Sequence, residues 1–82
     1  MNSTEPRGPI RPADATDGWQ LVADVGEYWL VRLHGVYNLE IHATAASSCV
    51  LRVHQAGALV REASATDIGY LKDVAQQWIH EH

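Results

Sequence analysis

Apolar and polar residues alternate one for one over most of this chain, and three- and four-residue spacings take over only near its end. The first pattern is that of half-buried strands and the second that of an amphipathic helix. Trp19, Leu21, Ala23 and Val25 share one parity, with Gln20, Val22 and Asp24 on the other, until Gly26 breaks the run. A second strand is predicted from Glu27 to His34, ending at Gly35. A third sets Tyr37, Leu39, Ile41 and Ala43 against Asn38, Glu40 and His42. After a small polar loop, Thr44 to Ser48, a fourth strand turns Cys49, Leu51 and Val53 inward and Val50, Arg52 and His54 outward. Gln55, Ala56 and Gly57 read as a hairpin loop, with glycine where a positive φ is needed. A fifth strand, Ala58 to Ala63, is open between Leu59 and Val60 as its inward residue; the other possibility is that the chain passes straight into the helix.

The second strand is the least determined, because 28-YWLVRL-33 is apolar on both parities. Register is set by matching faces, since a slip of one residue turns the core outward. A loop of His34, Gly35 and Val36 pairs Leu33 with Tyr37, Val31 with Leu39 and Trp29 with Ile41, all apolar and on one face. A two-residue loop would set Leu33 against Asn38. The pattern therefore predicts the longer loop, with Trp29, Val31 and Leu33 in the core and Tyr28, Leu30 and Arg32 facing away.

Ile68, Leu71, Val74, Ala75, Trp78 and Ile79 form the apolar stripe of a C-terminal helix, with Lys72, Asp73, Gln76, Gln77, His80 and Glu81 opposite. Ser64 and Asp67 have capping-box spacing, and Thr66 is an equally good N-cap. The expected fold is α+β: a four- or five-stranded antiparallel meander with this helix packed on one face. Residues 19–82 make that single domain. Residues 1–18, with Pro6, Pro9 and Pro12 among polar neighbours, read as a flexible arm of extended character.

Composition narrows the function classes. The 82 residues carry a formal net charge of −4, which argues against a general nucleic-acid binder. Cys49 is the only cysteine, so neither an intrachain disulfide nor a cysteine-built zinc site can form, and a buried thiol in a reducing compartment is expected. No apolar run reaches the roughly 18 residues of a membrane span. A cytoplasmic, soluble protein is expected, with no membrane association. The preference for Ala, Val, Arg, Asp and Gly, with no Phe, tracks GC-rich codons and suggests a GC-rich bacterium or one of its phages.

Candidate chemistry is sparse. His34, His42 and His54 come one per strand, and His80 and His82 diverge by about 200° on a helix, so no metal site and no cofactor is predicted. Cys49, His42 and Glu40 could serve as nucleophile, base and orienter, but strand parity puts Cys49 on the opposite face from the other two. No catalytic residue is assigned. The sheet face away from the helix is expected to mix Tyr28, Leu30 and Val50 with Arg32, His42, Arg52 and His54. A mixed face suits a surface that is sometimes covered. The sequence thus predicts a small non-catalytic interaction module, homodimeric through these seven residues or bound by them to another protein. The alternative is a nucleic-acid-associated regulator using the same face together with Arg7 and Arg11 of the arm.

Overall fold

The computed structural model describes residues 8–24, 26–45 and 47–82. Its strands are β1 (Gln20–Asp24), β2 (Glu27–His34), β3 (Tyr37–Ala43), β4 (Cys49–Gln55) and β5 (Ala58–Ala65), followed by helix α1 (Ile68–Glu81). The strands lie in sequence order in one antiparallel sheet. The helix crosses one face, resting on β3, β4 and β5. The α+β meander expected from the alternation is the architecture observed, with five strands.

The helix starts later than a Ser64 or Thr66 cap would allow. Ser64 lies inside β5, and the N-cap is Asp67, whose Oδ1 accepts the Gly69 N–H at 3.0 Å. That bond satisfies one of the amide groups that the first turn leaves without a partner. Leu71 and Ala75 are buried beneath the helix, flanked by Ile68, Val74, Trp78 and Ile79. They meet Leu39, Ile41, Cys49, Leu51 and Val53, all fully buried.

Two departures from the expected pattern reshape the molecule. The first is the β2–β3 hairpin. Its loop is the two-residue one, with His34 paired to Tyr37, Leu33 to Asn38, Arg32 to Leu39, Val31 to Glu40, Leu30 to Ile41 and Trp29 to His42. Gly35, at φ +56°, supplies the positive φ that a tight hairpin needs at its first central position. Every side chain of β2 is consequently inverted relative to the expectation. Leu30 is fully buried between Ile41 and Leu21, its partners on β3 and β1. Tyr28 packs against the core, and Arg32 Nη1 donates to Gln76 Oε1 of the helix at 3.0 Å. Trp29, Val31 and Leu33 go to the other face.

The second departure is the N-terminal segment. Residues 1–7 of the expected arm, and with them Arg7, lie outside the described residues. From Gly8 onward the chain is part of the body: Ile10 is fully buried in the core cluster with Trp19, and Ala15 packs beside them. A short 3-10 turn spans Pro12–Asp14, where proline's fixed φ is an asset. Lys72 of α1 donates to the Asp14 carbonyl at 2.5 Å and to Thr16 Oγ1 at 3.0 Å. The segment thus belongs to the helix side of the sheet, where the core can bury Ile10.

The β4–β5 hairpin is also tighter than expected. Its central residues are Ala56 and Gly57, at φ +52° and +82°, and Gln55 pairs with Ala58. Val60 is the extra residue of a β-bulge, since Val53 pairs with Arg61 while His54 pairs with Leu59. That is why neither Leu59 nor Val60 behaves as a core residue: they are 50% and 42% exposed.

Candidate interaction face

Strand pairing turns the face away from the helix into a grid. The row nearest the Gly35 turn reads Leu33, Asn38, His54 and Leu59 across β2 to β5. The middle row spans all five strands and reads Gln20, Val31, Glu40, Arg52 and Glu62. The next reads Val22, Trp29, His42, Val50 and Ser64. The two halves of the grid differ in chemistry. Val22, Trp29, Val31 and Leu33 make an apolar strip on β1 and β2, and Leu33 is 75% exposed. The strip exists because β2 is apolar on both parities, so burying Leu30 necessarily presents Trp29 and its neighbours on the opposite face.

The β3–β5 half, apart from the covered Val50 and the half-exposed Leu59, is polar and internally bonded. His42 Nε2 lies 2.6 Å from Glu40 Oε1 and donates to it, an ionised carboxylate having no proton to give. Asn38 Nδ2 donates to Glu40 Oε2 at 2.8 Å. His42 Nδ1 lies 3.5 Å from Glu27 Oε1 on β2. Arg52 Nε donates to Glu62 Oε2 at 3.0 Å. The indole of Trp29 stacks on the His42 ring, with centroids 5.4 Å apart and planes 19° from parallel, which joins the two halves. Burial works to raise the Glu40 carboxyl, but the hydrogen bonds from His42 and Asn38 and the charges of His42 and His54 outweigh it and hold it below its ordinary value.

Of the seven residues expected on this face, His42, Val50, Arg52 and His54 are there and Tyr28, Leu30 and Arg32 are on the helix side. Val50 is only 2% exposed, covered by its neighbours, so it supports the face without offering surface. Trp29, Val31 and Leu33 take the place of the three displaced residues. A signal for them was present: Gly35 allows a two-residue turn, and that turn alone reverses the parity of β2.

The triad imagined from Cys49, His42 and Glu40 is not assembled. Cys49 pairs with Ala43 on the helix side, and its thiol is pushed up by burial and further by Asp14 and Asp67, away from the reactive thiolate. Among the described residues no group of three or more His, Cys, Asp or Glu side chains could hold a metal ion. A cleft of about 210 Å³ between β5 and α1 is lined by Arg61, Val74, Gln77, Trp78 and Glu81, on the helix side of the sheet. No helix among the described residues is long and apolar enough to cross a membrane. Comparison with protein-family models, with curated proteins and with solved structures finds no match to any of them.

Proposed function

We propose that this domain is a non-catalytic protein-interaction module that pairs with a second copy of itself through the open sheet face. The observation that carries the reading is the strip Val22, Trp29, Val31 and Leu33, half-buried at its first three residues and 75% exposed at Leu33, beside a bonded polar half. An apolar centre with an aromatic anchor and a polar rim is the usual anatomy of an interface. Size favours a copy of the same sheet as the occupant. With strands about 4.8 Å apart and about 3.3 Å per residue, a five-stranded face six residues long projects on the order of 500 Å², and its side chains add to that. A stable pair needs about 800 Å² of accessible surface per partner. Each face supplies on the order of 500 Å² in projection towards that per-partner figure, with side-chain relief adding to it, and a two-fold axis lays each strip on the other.

The nucleic-acid alternative has less to stand on. Tyr28 and Arg32 are turned to the helix side, Arg52 is bonded to Glu62, and Arg11 Nη1 donates to the carbonyls of Gly8 and Ile10. An intracellular setting is supported by the lone, buried thiol of Cys49.

Light scattering over a concentration series, for wild type and Leu33→Glu, tests the reading. A wild-type dimer that becomes a folded monomer in the variant is the expected result. A wild type that stays monomeric at every concentration overturns it. Binding to nucleic acid that weakens steeply with added salt would favour the alternative.

A further inference from the structure

We infer that pairing across the open face is tightened by a proton taken up on His42; the inference rests on the self-association reading of that face. The geometry around the ring carries it. His42 stands in the grid between two carboxylates, with Nε2 2.6 Å from Glu40 Oε1 and Nδ1 3.5 Å from Glu27 Oε1. A neutral imidazole has one N–H. Spent on Glu40, it leaves the lone pair of Nδ1 turned towards a Glu27 oxygen, which is repulsive. Only the imidazolium donates to both sides. Trp29 is stacked on the ring and belongs to the apolar strip, so the device sits at the edge of the surface that pairing would cover.

The surrounding charges do not substitute for that proton. On β1, Asp24 lies opposite Glu27 and brings no positive charge to the ring. On β4, Arg52 is across from Glu40, but its Nε is bonded to Glu62 of β5. His54, also on β4, lies one row away across from Asn38. With a neutral ring, the group of Glu27, His42 and Glu40 carries the charge of two carboxylates; with an imidazolium it carries that of one. Covering the face excludes water, and buried charge without compensation is costly. The protonated group therefore closes at lower cost. By linkage, a dimer that holds the proton more tightly than the monomer must form more readily as the proton concentration rises.

Sedimentation equilibrium at about pH 8, 7 and 6, where histidine changes charge, measures this directly for wild type, His42→Gln, Glu27→Gln and His54→Gln. The wild-type Kd is expected to fall about tenfold or more from the highest to the lowest pH, where tenfold over two pH units corresponds to an average uptake of about half a proton per dimer. That dependence vanishes in His42→Gln, shrinks in Glu27→Gln and persists in His54→Gln. Glu27 is half-exposed, so its variant keeps the test decisive should His42→Gln fail to fold. A wild-type dimer with a Kd indifferent to pH overturns the inference and leaves the interaction face standing, as does full pH dependence in Glu27→Gln or His42→Gln. A wild type that is monomeric at every pH and concentration overturns the interaction face itself, and the proton linkage with it.

Discussion

Leu30 and Leu33 are three positions apart on one strand and have opposite fates. Leu30 is fully buried, and Leu33 is 75% exposed. Leu30→Ala should therefore cost about 2–5 kcal/mol in urea denaturation, the range for a leucine lost from a packed core. Leu33→Ala should stay within about 0.5 kcal/mol of wild type, as surface changes usually do. Equal losses at the two sites would contradict the β2 register. Glu40 offers a second test at this scale. Its folded carboxyl lies below the ordinary value of 4.5, so the stability it contributes is fully present above that value and is lost as pH falls through the lower, folded one. Wild type should thus lose more stability than Glu40→Gln on acidification through this window. A gap between the two that stayed constant with pH would show that the His42 and Asn38 bonds are not what holds the carboxyl down.

Elements are decided here by their turns. The two-residue loop at Gly35 fixes β2 against β3, and the loop at Ala56 and Gly57 fixes β4 against β5. Ala56 is the strained member, an L-residue with a side chain at φ +52°. Asparagine tolerates that region better, so Ala56→Asn should raise stability by up to about 1 kcal/mol in thermal or urea unfolding. A loss of stability would argue against a left-handed conformation there. The bulge at Val60 has a further consequence. It bends the exposed edge strand β5, one of the devices that discourage edge-to-edge pairing, and Arg61 and Glu62 beside it add charge. Association through the face is then less exposed to competition from association through that edge.

For the whole molecule, size is the constraint. A domain of 82 residues has a thin margin, and it gains by recruiting its N-terminal segment into the core. Ile10→Ala should accordingly cost about 2–5 kcal/mol, whereas a residue in a mobile arm would cost nothing measurable. Unfolding in urea decides between them. The pairing proposed for the open face should also hold its affinity as salt is raised, because an apolar strip is its centre and salt screens only the charged rim. Scattering at low and high salt checks this, and dissociation on adding salt would shift the centre of the interface to the Glu40 and Arg52 half.

The chain's own pattern determined the order of elements and, save for the fifth strand, their number, together with the facing of β1, β3 and β4 and the apolar stripe of α1. In those segments one parity is apolar and the other is not, so only one arrangement buries the right side chains. It did not determine the facing of β2. With Tyr28, Trp29, Leu30, Val31 and Leu33 spread over both parities, either face could be buried; matching apolar faces favoured the longer loop, and Arg32 is accommodated on the helix side because its long side chain reaches Gln76. It did not reveal the role of Ile10 either, since a lone apolar residue between prolines has no period to read. Those choices were made by tertiary structure. The tight turn at Gly35 set a register that seats Leu30 beside Ile41 and Leu21, and the same turn placed Trp29 against His42. Four of the seven expected face residues could be read from strands with one clear parity; the apolar strip became visible only once β2 had a partner to be in register with.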